Sequence, residues 1–156
     1  GDGKFKYLLR ESQIRTAFSI PSGQPVNVDA VAAVPQRKMI FFSLEHNVQV
    51  TVHNSAVPFT TTVRDGSILG LYVGAWGEPV TPLPNGARLV LRETQVNAKV
   101  AASGVRDRLG NLVTSIVDLD GLALDPAGGN FVNWGTWPNL IFSGLRLTGA
   151  VADTIR

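Results

Sequence analysis

The sequence predicts an all-β fold: an antiparallel β-sandwich, jelly-roll or immunoglobulin-like in topology, entered through an extended N-terminal arm. Three observations carry that expectation. Apolar and polar residues alternate with period two along Val48-Gln49-Val50-Thr51-Val52-His53, the pattern of a strand with one buried and one wet face. Glycine (16) and proline (9) punctuate the 156 residues at short intervals, as turns between short strands require. The helix formers Glu and Lys number only four each, whereas Val, Thr and Ile are common.

Taken in order, residues 1–15 read as the arm and 16–156 as one sandwich domain. Strands are expected at Thr16–Ile20, Val26–Val34 and through the segment FFSLEHNVQVTVHNS (41–55). Further strands are expected at Phe59–Arg64, Ile68–Val73, Ala87–Glu93 and Leu112–Leu119. The run Val96-Asn97-Ala98-Lys99-Val100 repeats the alternation, and so does Leu145-Arg146-Leu147-Thr148. Each reads as an antiparallel, half-exposed strand. Turn signals separate them: Pro21-Ser22-Gly23, Asn54-Ser55, Asp65-Gly66, Pro84-Asn85-Gly86, Gly110-Asn111 and Asp120-Gly121. Asp65-Gly66 between two strand-like runs is the strongest hairpin signal, since this pair tolerates the positive φ of tight turns.

Fourteen Lys and Arg face 12 Asp and Glu, a net charge of +2, and only 17% of residues are charged. Lys4, Lys6, Arg10 and Arg15 against Asp2 and Glu11 place that whole excess in the first 15 residues. Such a balance argues against nucleic-acid binding by the surface as a whole. Basic side chains interleaved with Phe5, Tyr7, Leu8 and Leu9 read better as an arm that crosses onto a neighbouring subunit and buries its apolar surface there. No apolar run is long enough for a membrane-spanning helix, and no membrane partner is expected.

Chemistry is sparse. There is no cysteine, which excludes a thiol nucleophile and Cys-type metal sites. If residues 41–53 form one strand, His46 and His53 point to opposite faces, His46 with the interior Val48 side and His53 toward water. No GxSxG, HExxH or GxxxxGK[ST] pattern occurs. Gly70, Gly74 and Gly77 superficially resemble a phosphate loop, but Pro79, Pro82 and Pro84 forbid the helix that must follow it. Asp118, Asp120 and Asp125 fail the EF-hand spacing, whose twelfth position is Gly129. No catalytic residue, metal or cofactor is expected. Trp76, Trp134 and Trp137, flanked by Gly, Asn and Pro, are expected in loops, either as plugs and subunit contacts or as a platform for glycans.

Together the N-terminal arm, the segment TTTVRDGSILGLYVG (60–74), the Thr- and Val-rich strands and the absent cysteine resemble the β-sandwich structural and capsid-decoration proteins of tailed bacteriophages. The resemblance implies a non-enzymatic virion protein that binds and stabilises a capsid lattice. Its partners would be other capsid subunits and copies of itself, in a closed homo-oligomer such as a trimer. Contacts would then come from the arm, Lys4, Phe5, Lys6, Tyr7, Leu8, Leu9, Arg10 and Arg15, and from the three tryptophans. The alternative is an extracellular, lectin-like carbohydrate-binding module, with the tryptophans stacking on sugar.

Overall fold

A computed structural model of the chain describes residues 8–76, 80–115, 118–124, 140–145 and 153–155, the last three segments as backbone. The protein is built mostly of antiparallel strands with few helices. Helix α1 (Glu11–Ala17) comes first, followed by β1 (Val28–Val34), a single 3-10 turn (Pro35–Arg37), β2 (Met39–Leu44), β3 (Val48–Val52) and β4 (Phe59–Val63). Then come β5 (Ile68–Val73), β6 (Pro82–Leu91), helix α2 (Glu93–Ser103), β7 (Asp118–Leu124), β8 (Leu140–Leu145) and β9 (Asp153–Ile155).

A four-stranded sheet in the order β1-β2-β5-β6 forms the centre. Strand β2 is buried at all six positions, which means that both faces of the sheet are covered. Alternate residues therefore feed two cores. On one side Ile40, Phe42, Leu44, Leu69, Leu71, Val73 and Leu89 pack with Val48, Val50 and Val52 of β3 and with Ile14 and Phe18. The rings of Phe18 and Phe42 meet edge to face at 5.5 Å. On the other side Met39, Phe41, Ile68 and Val90 pack with Val96 and Val100 of α2. Strands β7, β8 and β9 form a separate three-stranded sheet.

The β3–β4 ribbon lies over the first core and is tied to elements outside its own pair. Thr51 donates its backbone N–H to the Phe18 carbonyl at 2.7 Å, and His53 donates to the Ala87 carbonyl at 2.9 Å. The Asn54 side-chain amide continues this pattern, accepting from the Leu89 N–H (2.8 Å) and donating to the Leu89 carbonyl (2.7 Å). A side chain thus does the work of one more strand residue.

Several expectations need correction. Thr16–Ile20 is not a strand: Thr16 and Ala17 end α1, and the chain turns at Ser19, whose φ is 50°. Ile14 and Phe18, four residues apart, both bury on one helix face. Gln13 starts the helix by accepting the Arg10 backbone N–H at 2.8 Å. Val96–Val100 is likewise helical, within α2. Its two valines at i and i+4 are buried, while the intervening Ala98 is exposed, so a helix stripe was read as strand alternation. Gln95 accepts the Arg92 N–H, Ser67 accepts the Glu93 N–H, and Gly104 ends the helix in the left-handed region at φ 72°.

Residues 41–55 are two strands separated by an exposed turn at Glu45–Asn47, which places His46 in solvent and not in the interior. Asp65-Gly66 is a turn, closed by the Ser67 N–H on the Arg64 carbonyl at 2.9 Å. It joins no hairpin, however, because β4 pairs with β3 and β5 with β2 and β6. Gly66 leaves room for α2: a Cβ there would lie 2.8 Å from the Glu93 Cγ, and that side chain would have to shift. Leu112 makes only an isolated bridge with Arg106, and the next strand begins at Asp118. Asp120-Gly121 is no turn but lies within β7, where the register against β8 shifts between Leu119 and Gly121, as a bulge does.

Candidate functional site

Two surfaces gather side chains that the fold itself does not use up. The first lies where the chain enters. Leu8 and Leu9 are half-buried against the first core, and the Leu8 carbonyl accepts the Val80 N–H at 2.9 Å. With Ile14, Ile40 and Phe42 they line an apolar groove of about 230 Å³ whose rim is Val28 and Val31 of β1. These two valines are 43% and 53% exposed. For β-branched apolar residues, that is surface that gains by being covered.

Of the expected arm residues, Arg10 precedes α1 and Arg15 lies inside it. Arg15 is committed to its own chain. Its guanidinium donates to the Pro21 and Gln24 carbonyls, both at 2.9 Å, and to the Glu11 carboxylate at 2.7 Å. Residues 11–15 are therefore helical and not part of an extended arm. Lys4, Phe5, Lys6 and Tyr7 lie outside the described residues, as do Trp134, Trp137 and Asp125. Trp76 follows the end of β5 at the surface, 37% exposed.

The second surface is an open cleft of about 540 Å³ between α1 and the start of β6. One wall is the helix face carrying Ser12, Gln13 and Thr16, continued by Ser19. The opposite wall is Pro82, Leu83, Pro84 and Asn85, and His53 joins them from the end of β3. The shape of this wall comes from a register break. Val73 pairs with Pro82 and Leu71 with Ala87, so residues 83–86 bulge out of the ladder against a single residue of β5.

Asn85 at φ 56° turns the excursion, and Gly86 lets it press back on the sheet: a Cβ there would lie 2.7 Å from the Tyr72 carbonyl oxygen and 2.9 Å from that of Leu83. Arg88, stacked 5.0 Å over the Tyr72 ring, donates to the Asn85 carbonyl and fixes the bulge from behind. Gln13 braces the helix side, donating to the Val80 carbonyl at 3.0 Å.

Chemically the cleft is a neutral hydrogen-bonding surface with one apolar wall. Among the described residues no Lys, Arg, Asp or Glu lines it. Three hydroxyls and an imidazole share it, yet among the described residues no hydrogen bond joins a hydroxyl to His53, the contact a serine nucleophile needs. Among the described residues there is also no group of three His, Asp or Glu that could hold a metal ion. The sequence marked His53 as a strand-end residue and Asn85 as a turn, but it did not join them to Ser12, Thr16 and Ser19. The usable signals were Pro84-Asn85-Gly86, read as an excursion within a strand, and the Ile14/Phe18 stripe, which turns Ser12 and Thr16 outward.

A carboxyl cluster lies elsewhere, at the Asp65-Gly66 turn. Burial, reinforced by hydrogen bonding to Asp65 and by the charge of that residue, raises Glu93 above its ordinary value of 4.5, with Arg64 and the Gly66 N–H opposing. Arg64 stands 3.9 Å away and is largely exposed, too open a pair to offset that burial by much. No protein-family model matches the chain, and comparison with curated proteins and with solved structures returns no match.

Proposed function

We propose that this chain is a non-enzymatic structural protein that binds and stabilises a capsid lattice through contacts between subunits, its closed oligomer a trimer. The observation that carries the reading is the apolar groove at the chain entry, where Leu8 and Leu9 meet the exposed valines of β1. Residues 1–7, in which Phe5 and Tyr7 alternate with Lys4 and Lys6, directly precede Leu8 and Leu9 in the chain and are the segment this reading sends to a neighbour. On this reading the β3–β4 ribbon over the central sheet is the kernel of a β-sandwich, and the arm comprises residues 1–10 with the helix as its anchor. Trp76, Trp134 and Trp137 supply further contacts.

Light scattering of the full chain and of a variant lacking residues 1–7 tests the proposal. The full chain is expected to sediment and scatter as a closed oligomer, and the truncated chain as a monomer with the same far-ultraviolet dichroism. A monomeric full chain, or a truncated chain that assembles equally well, overturns the arm reading.

A further inference from the structure

We propose that the cleft between α1 and the 83–86 excursion binds a neutral polyhydroxylated ligand, a saccharide unit held by Ser12, Thr16, Ser19, His53 and Asn85. This goes beyond the structural role and does not depend on it, since an oligomer and a monomer would carry the cleft alike.

Four observations converge. Among the described residues, none of these five side chains hydrogen-bonds a protein partner, although each has donors or acceptors and all face one cleft. By contrast Gln13, in the same wall, is engaged at both ends of its amide, by the Arg10 N–H and the Val80 carbonyl. The uncommitted groups are thus selected by position, and a ring of hydroxyls is what they complement. Second, three non-glycine residues among those described have positive φ, and two of them, Ser19 and Asn85, stand on opposite walls of this cleft. Ser19 takes its positive φ as the residue that closes α1, with the Ser19 and Ile20 N–H groups on the Thr16 and Arg15 carbonyls, and Asn85 takes its own in the excursion, where Arg88 holds its carbonyl; each turn thereby fixes a polar side chain at the cleft.

Third, among the described residues the lining carries no fixed charge, so an anionic or cationic ligand would lose its hydration without a counter-charge from them. A neutral one has no such penalty. Fourth, Pro82, Leu83 and Pro84 form a rigid apolar wall with Leu83 44% exposed. A sugar presents hydroxyls along its rim and aliphatic C–H on its face, which suits a polar floor beside an aliphatic wall. The volume of about 540 Å³ accommodates one or two sugar rings. Because the cleft is open, weak binding in the millimolar range is expected.

The test is a titration of the full chain, followed by amide nitrogen–proton correlation spectra. The probes are the methyl glycosides of glucose, galactose, mannose and N-acetylglucosamine, together with maltose and cellobiose. Saturable shifts centred on Ser12, Thr16, Ser19, His53 and Asn85 are expected with at least one probe, and tighter binding of a disaccharide would identify a chain-reading site. Asn85→Gly keeps the left-handed backbone and removes the amide. Thr16→Val removes an exposed hydroxyl from the helix. Each is expected to weaken binding about three- to tenfold, the worth of one hydrogen bond, while leaving distant amides unmoved. The proposal is overturned if no probe gives saturable shifts, if the shifts centre elsewhere, or if both variants bind as tightly as the parent.

Discussion

Gly86→Ala tests whether the excursion in β6 is a built feature or slack in the sheet. The new methyl group would sit 2.7 Å from the Tyr72 carbonyl oxygen and 2.9 Å from the Leu83 carbonyl oxygen. Carbon–oxygen contacts in proteins ordinarily stop near 3.3 Å, so the two approaches are short by about 0.6 and about 0.4 Å. Both neighbours are backbone. Tyr72 belongs to β5, hydrogen-bonded on each side, and Leu83 is held within the excursion it helps to form. Neither can swing aside as a side chain would.

The strain must be relieved by moving strand against strand, and overpacking of that kind costs about 1–3 kcal/mol; the upper half of that range is expected here because two fixed oxygens are involved. Urea denaturation followed by far-ultraviolet dichroism measures it, with Gly23→Ala as control. Nothing lies within 4 Å of a Cβ at Gly23, so that variant should be unchanged or slightly more stable. Stability of Gly86→Ala within about 0.5 kcal/mol of the parent would falsify the account of the excursion as rigidly seated.

Two further outcomes follow from local geometry. Asn54→Ala strips both hydrogen bonds from the Leu89 backbone and is expected to lower stability by about 2 kcal/mol, since two paired groups lose their partner; the urea midpoint should fall with no change in slope, and a loss below about 0.5 kcal/mol would show that water replaces the amide freely. Glu93→Gln probes the raised carboxyl. A carboxyl whose folded pKa lies above its unfolded one contributes stability that is full below the ordinary value and is lost as pH rises through the raised value. The glutamine variant should therefore match or exceed the parent at neutral pH, and lose that advantage on acidification toward pH 4.5. Thermal melts of both proteins across that window decide the matter, and a parent that gains on the variant as pH rises would contradict it.

How much of this was legible in the sequence depends on whether a residue's partner lies near it in the chain. Ile68–Val73 and Phe59–Val63 were readable because β-branched and aromatic residues, bounded by turn residues, leave few alternatives. The helices were not. Val96, Ala98 and Val100 satisfy period two, yet the same three residues contain the i, i+4 pair of a helix, and only the second core beneath α2 decides between them. Glu11–Ala17 was hidden by its shortness and by the charge of Arg10 and Arg15, which looked like a solvated arm until Arg15 found the Pro21 and Gln24 carbonyls. The Asp65-Gly66 turn was visible, but which strands it separates is a matter of sheet assignment, decided by pairings between residues far apart. The cleft was the least legible feature, because its residues come from three separate segments and none carries a motif.

One strand has a consequence for how the molecule opens. Successive residues of β2 belong to different cores, Phe41 to one and Phe42 to the other, while its backbone is paired on both sides, with β1 and β5. Loosening either core therefore leaves the amides of Met39–Leu44 still clamped by the other. Those amides should exchange with solvent only when the whole central sheet comes apart, reporting the global unfolding free energy, whereas amides of the β3–β4 ribbon exchange through smaller openings. The two cores are joined into one cooperative unit by six consecutive residues.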